Sequence, residues 1–145
     1  MILYVLKTIH ILGATLWFAY PLGQARALKL AAGADAPLWS NLLSETVRRT
    51  KMALLMGMVT IGAGALLILF TYGGMKNAPP QLQVALALVI LMLGCTIFGQ
   101  LPAVVRGTET SSTAVDRVAL IKSYARWTGV IHALWLGALV LMYVR

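Results

Sequence analysis

Apolar residues along the chain fall into four long runs that are separated by more polar stretches. Each run is close to the ~20 residues that a helix needs to cross ~30 Å of hydrocarbon. Tyrosine and tryptophan lie near the ends of the runs, as in an interfacial aromatic belt. The pattern predicts an all-α polytopic membrane protein, an antiparallel four-helix transmembrane bundle in a single domain of residues 1–145. The predicted spans cover residues 2–20, 52–72, 82–101 and 127–144.

The first and third connections are long and indicate helices that continue beyond the membrane. Pro21 is expected to kink the first helix without ending it, so that the helix runs on to a break near Gly33. Thr113, followed by Asp116, has the spacing of a capping box at the start of a helix that continues into the fourth span. The second connection is rich in glycine and proline and predicts a tight turn. We therefore expect the bundle to protrude on the side of the first and third connections.

Composition and charge set the class of protein and its expected orientation. The hydrophobic fraction is 60%, the charged fraction is 11% and the net charge is +8, which leaves no polar shell for a soluble domain. Lysine and arginine cluster in the first and third connections, so the positive-inside rule places these in the cytoplasm and both termini outside. Topology and anionic lipid headgroups account for the basic residues, and nucleic acid is rejected as a partner. The expected location is the inner, cytoplasmic membrane of a bacterium, within the lipid bilayer.

Two histidines, His10 and His132, are the best candidates for chemistry. They lie in the first and last apolar runs, where an ionisable side chain is costly and marks a functional site. The first and last helices of a simple up-down bundle are neighbours, and counting from the helix ends puts the histidines within roughly one turn in depth. Neutral imidazole ligates zinc, copper and haem iron. Because no Asp or Glu lies within a span, zinc is disfavoured, whereas haem needs only two axial ligands.

The neighbours of both histidines predict a slot for a porphyrin. The residues three and four positions from each histidine, counted toward the cytoplasm, are small. A haem b held between the histidines would therefore extend mainly toward the cytoplasm, where arginines could bind its propionates. Lys7 is expected to snorkel to the outer interface; pairing it with a propionate would reverse this orientation. The predicted cofactor-binding residues are His10, His132, Gly13, Ala14, Gly129, Thr128, Arg126 and Arg26, with the two histidines as ligands of the haem iron.

Two stretches resemble a known family. The pattern K-x-x-H-I-L-G-x-x-x-W-F from Lys7 to Phe18 resembles the opening helix of the CopD/HemJ-type superfamily of small four-helix haem-binding membrane proteins. The pattern W-x-x-x-x-H-A-L-W-L-G from Trp127 to Gly137 is similar to the closing helix of its copper-resistance-like members. The resemblance implies a b-type haem with His10 as an axial ligand. For the HemJ members it implies protoporphyrinogen oxidase activity, late in haem synthesis.

The leading hypothesis is a small membrane cytochrome b, ligated by His10 and His132, that transfers electrons, with a quinone or a porphyrin as candidate partner. Three alternatives stay open. One is a HemJ-like protoporphyrinogen oxidase. Another is a non-catalytic subunit of a larger membrane redox complex, in which the histidines hydrogen-bond or ligate a pigment. The third is a copper transporter, with copper(I) ligands drawn from Met52, Met56, Met58 and Cys95. Partner subunits or a homo-oligomer are the candidate partners of the chain.

Overall fold

The computed structural model describes residues 1–110 and 113–143, and the regular elements in these ranges are helical. The α-helices are α1 (Ile2–Ala19), α2 (Gln24–Leu30), α3 (Ala36–Tyr72), α4 (Pro80–Cys95), α5 (Leu101–Thr110) and α6 (Ala114–Tyr143). A 3₁₀ turn (Met75–Asn77) precedes α4, and a π-helical segment (Thr96–Gln100) joins α4 to α5. Four helical stretches of the described residues are long and apolar enough to cross a membrane: Ile2–Leu30, Ala36–Tyr72, Pro80–Thr108 and Ala114–Tyr143. The all-α, membrane-type bundle is thus confirmed; Val144, the last residue of the predicted fourth span, lies outside the described residues.

The start of α6 follows the predicted capping box. The Thr113 hydroxyl oxygen accepts a hydrogen bond from the Asp116 backbone N–H at 3.2 Å and donates its own proton to Asp116 Oδ2 at 2.6 Å. This satisfies one of the N–H groups that the first turn leaves without an intrahelical partner. From there α6 continues without a break to Tyr143. The predicted fourth span therefore begins within one long helix.

The first helix differs from its prediction at Pro21. We expected Pro21 to kink the helix without ending it, but α1 ends at Ala19. Proline lacks an N–H and its ring collides with the carbonyl four residues earlier, which favours a break. Gly23 follows with φ 78°, in the left-handed region that glycine adopts at little cost, and turns the chain into α2. A second break follows α2, near Gly33 as predicted, before Asp35 caps α3.

The bundle has two different ends, which we name by their residues. The terminal end holds Met1, the turn between α3 and α4, and Tyr143. The basic end holds α2, α5 and the first turns of α3 and α6. Most of the cationic residues lie at or near the basic end: Arg26, Lys29, Arg48, Arg49, Lys51, Arg106, Arg117, Lys122 and Arg126.

The helices pack in two antiparallel pairs, α1 on α3 and α4 on α6. Small residues allow each pair to approach closely, since lipid supplies no hydrophobic drive between helices. A Cβ on Gly57 of α3 would lie 2.8 Å from the indole of Trp17 in α1. In the second pair, the ring of Trp127 fills the space beside Gly99, within the π-helical segment. These contacts fix the position of each helix along its partner.

Two clusters of buried apolar residues hold the pairs together. The first lies within the bundle, where Trp17 of α1 meets Ala53, Met92 and Ile131 of the other three spans. The second lies at the basic end and joins α2 and α5 to α3 and α6. Its buried members are Leu28, Trp39, Leu43, Val104, Leu120, Ile121 and Tyr124.

Candidate functional site

His10 lies on α1 and is held by the backbone of α3. Its Nδ1 is 2.9 Å from the carbonyl oxygen of Thr60. A carbonyl oxygen only accepts, so Nδ1 carries the proton of the neutral imidazole and Nε2 keeps its lone pair. In the part of the chain that the structure describes, the His10 ring makes this one hydrogen bond. This is the arrangement of metal-ligating histidines, which usually donate their second ring N–H to a carbonyl or carboxylate.

Gly64 makes room for this contact. It lies one helical turn after Thr60 on α3, on the face toward α1. A Cβ added to Gly64 would lie 2.9 Å from Cε1 and 3.1 Å from Nδ1 of His10. Any side chain larger than hydrogen would therefore push the imidazole away from the Thr60 carbonyl.

His10 lines two adjoining cavities. The small cavity, about 60 Å³, extends from His10 toward the basic end, past Ala14 and Trp17 of α1. The large cavity, about 340 Å³, extends from His10 toward the terminal end, past Gly64 and Tyr72. The residues that line both are His10, Thr60, Val89 and Met142. His10 is thus placed at the junction of the two spaces.

His132 lies on α6 in different surroundings. Its ring centroid is 4.5 Å from that of Phe18 in α1, and Phe18 in turn is 4.6 Å from Trp135. The backbone of Phe18 also lies near the imidazole. The Nε2 atom of His132 is buried and has no hydrogen-bond partner among residues 1–110 and 113–143. His132 is therefore part of an aromatic cluster between α1 and α6.

His132 lines neither of the two cavities described for His10. Phe18, which contacts His132, lies eight residues after His10 on α1, and this is about 12 Å at ~1.5 Å per residue. The predicted difference in depth, one turn, was counted from apparent helix ends. In the structure, Phe18 and Trp135 meet at the same level. That His10 and His132 bind one cofactor stays a prediction.

The predicted small residues have separate roles. Gly13 packs α1 against α3, since a Cβ there would lie 2.6 Å from Oγ1 of Thr60. Ala14 lines the small cavity beside His10. Gly129 is exposed on α6, and a Cβ there would have nothing within 4 Å. Of these three residues, Ala14 alone lines one of the two cavities described for His10.

The remaining predicted residues lie nearer the basic end. The Thr128 hydroxyl is buried, accepts a hydrogen bond from Gln100 Nε2 at 2.9 Å and donates to the Tyr124 carbonyl at 2.9 Å. Its role is to join α6 to the π-helical segment. Arg26 and Arg126 are exposed, and neither lines a cavity described for His10.

Several residues of the site were not predicted from the sequence. Gly57, Thr60 and Gly64 recur at the spacing of one helix face, and this pattern was a usable signal for the face of α3 that contacts α1. The Thr60 carbonyl is a backbone group and leaves no trace in the sequence. Met92 and Met142 face the cavities, but methionine in a membrane helix is more often a filler of gaps.

No family model, no curated protein and no solved structure matches this chain. The resemblance to the CopD/HemJ-type superfamily stays a prediction that rests on the two stretches around His10 and His132.

Proposed function

We propose that the protein is a small integral-membrane b-type haem protein in which Nε2 of His10 is an axial ligand, and that its work is electron transfer. One observation carries the proposal. The hydrogen bond from Nδ1 of His10 to the Thr60 carbonyl is 2.9 Å long and leaves the lone pair of Nε2 available to bind a metal. The His10 ring lines two cavities. A histidine that merely joined two helices would not need the adjoining space.

The residues around His10 fit a flat, apolar cofactor. The large cavity of about 340 Å³ is within the ~300–1,000 Å³ of typical cofactor pockets. Aliphatic side chains of α3 and α4 form most of its walls. The Thr60 carbonyl would fix the tautomer and the orientation of the imidazole and increase its basicity. Bound haem would supply an iron that accepts and releases one electron.

Met142 is an alternative to His132 as the second residue that would hold the iron. It lines both cavities together with His10, on the neighbouring helix α6. Thioether sulfur paired with imidazole is an established axial set for haem iron. His132 instead contacts Phe18, two turns of α1 nearer to the basic end.

The charge distribution supports the proposed location. With the basic end in the cytoplasm, the positive-inside rule is satisfied and both termini lie outside, in the inner membrane of a bacterium. A cofactor at His10 then lies within the bilayer, so a quinone or a partner subunit is the suitable redox partner. Both reach the site from the lipid phase without crossing water.

The visible spectrum of the purified protein tests the proposal. The protein is expressed with haem supply, purified in detergent, and measured oxidised and dithionite-reduced, with haem quantified as the pyridine complex. We expect a sharp reduced α-band and about one haem b per chain. A colourless preparation that takes up no haem on titration would contradict the proposal.

A copper(I) site is the second candidate function, supported by the lining of the small cavity. This cavity, about 60 Å³, is lined by His10, Met92 and Met142 among others. Imidazole with thioether sulfur is a ligand set that favours copper(I). Titration of the haem-free protein with copper(I) against a competing chelator tests it. We expect one tight site that Met92→Leu weakens, whereas unchanged binding in that variant would exclude this ligand set.

A further inference from the structure

We infer that the ligand bound at His10 extends toward the terminal end of the bundle, with its carboxylates paired to Lys7 and not to the arginines of the basic end. The inference rests on the proposed function and adds an orientation and a recognition residue to it. It assigns Lys7 a role in binding, whereas the sequence alone favoured a lysine that snorkels to the interface.

The side of His10 toward the basic end is tightly packed. Trp17 is 2% exposed and lies on Gly57, and Met92 and Ile131 beside it are 1% and 3% exposed. The space left on this side is about 60 Å³, enough for a few water molecules but not for half of a macrocycle. A ligand that extended toward Arg26 or Arg126 would have to displace this buried cluster.

The side toward the terminal end is open. The large cavity, about 340 Å³, runs from His10 along α3 and α4 to Thr71, Tyr72 and Lys7. Among residues 1–110 and 113–143, Lys7 is the one lysine or arginine in its lining, which otherwise consists of apolar residues, hydroxyl residues, Gly64 and His10. A carboxylate that enters this space needs a charged partner or water, since an unpaired buried charge is costly.

The position of Lys7 suits this role. It lies three residues before His10, so both side chains are on the same face of α1. Its long aliphatic stem can follow the apolar wall while the ammonium group stays near the membrane surface. The hydroxyl residues Thr71 and Tyr72 line the same part of the cavity. This end of the cavity therefore combines an apolar interior with polar groups at its mouth.

Competition between haem b and its dimethyl ester tests the inference. The ester keeps the macrocycle and iron but lacks the carboxylate charges. Apoprotein in detergent is titrated with each, for the wild type, for Lys7→Met, for Lys7→Arg, and for a matched double variant, Arg26→Met with Arg126→Met. Circular dichroism of each variant establishes that it is folded.

We expect the wild type to prefer haem b by roughly fivefold, the scale of one exposed or partly exposed ion pair. Lys7→Met should lose this preference, Lys7→Arg should keep it, and the double variant should keep it. A wild type without preference would overturn the inference, and so would a Lys7→Met variant that keeps the preference. Loss of preference in the double variant alone would also overturn it. Failure of the wild type to bind either compound would instead overturn the proposed function.

Discussion

The imidazole of His10 on α1 is bound to the backbone of α3, with 2.9 Å between its Nδ1 and the carbonyl oxygen of Thr60. At this depth the first helix is thus joined to the second spanning helix, while Met142 of the last helix lines the same cavities. Because the acceptor is a carbonyl, the contact fixes the tautomer as well as the position of the ring. Nε2 keeps its lone pair in the neutral ring, and it is the atom that we propose binds the iron.

Gly64→Ala should weaken haem binding by tenfold or more. The added methyl group would lie 2.9 Å from Cε1 of His10 and displace the ring from the Thr60 carbonyl. Overpacking of this kind costs about 1–3 kcal/mol, and ~1.4 kcal/mol is tenfold in affinity. Haem titration of the apoprotein measures the effect.

Gly62→Ala is the matched control for that variant. It adds the same methyl group to the same helix, where nothing lies within 4 Å. We expect its haem affinity to equal that of the wild type. Equal affinities for the Gly64 and Gly62 variants would show that the space beside His10 is not needed.

Met142→Leu and His132→Ala should have different effects on the spectrum. If Met142 is the second ligand, its replacement by an isosteric apolar residue should convert low-spin haem to high-spin while haem stays bound to His10. His132→Ala should keep the low-spin spectrum, because His132 packs on Phe18 about two turns away from His10. Absorbance and electron paramagnetic resonance separate the two cases. Loss of the low-spin signal in His132→Ala alone would restore the bis-histidine hypothesis.

Gly129→Leu should be harmless, whereas Gly99→Ala should destabilise the bundle. Gly129 is exposed and has open space around it, although the sequence suggested that a larger residue there would block the haem slot. A methyl group on Gly99 would overlap the ring of Trp127, with an overpacking cost of about 1–3 kcal/mol. Thermal unfolding in detergent measures the stability of both variants, and the haem content of each is measured in parallel. Haem loss in Gly129→Leu would favour the predicted slot.

Arg117→Met should loosen the connection between α2 and α3. The guanidinium donates to the carbonyl oxygens of Ala32 and Ala34, at 3.2 and 2.7 Å, and lies 4.9 Å from the ring centre of Trp39. Hydrogen bonds from a charged donor contribute about 1.5–3 kcal/mol each, so limited proteolysis within this connection should become faster. Lys122→Met, an exposed cation on the same helix, is the control. The account fails here if the two variants are cleaved equally fast.

The spans could be predicted from the sequence because the thickness of the bilayer sets the length of each apolar helix. The start of α6 was accessible because Thr113 and Asp116 carry a local capping signal. The break at Pro21 was missed, since a proline in a membrane helix is compatible with either a kink or an end. The choice depends on how α2 packs on the rest of the bundle, which is a tertiary contact.

The candidate site could be predicted only in part from the sequence, again because tertiary contacts decide the rest. His10 stood out as an ionisable residue in an apolar run, and the cavities beside it support that choice. Its pairing with His132 was inferred from chain order, whereas helix packing pairs α1 with α3. The acceptor on α3 is a backbone carbonyl, for which no residue type is diagnostic. The depth of His10 and the helix that it contacts depend on how the helices pack, and the sequence of one span does not determine them.

The most direct test of the central claim is the haem content of the wild type and of His10→Ala, expressed and purified side by side. We predict about one haem b per wild-type chain and a His10→Ala protein that is folded, inserted in the membrane and free of haem. His132→Ala, prepared in parallel, should keep its haem. A His10→Ala protein with the haem content and spectrum of the wild type would contradict the assignment of His10 as an iron ligand.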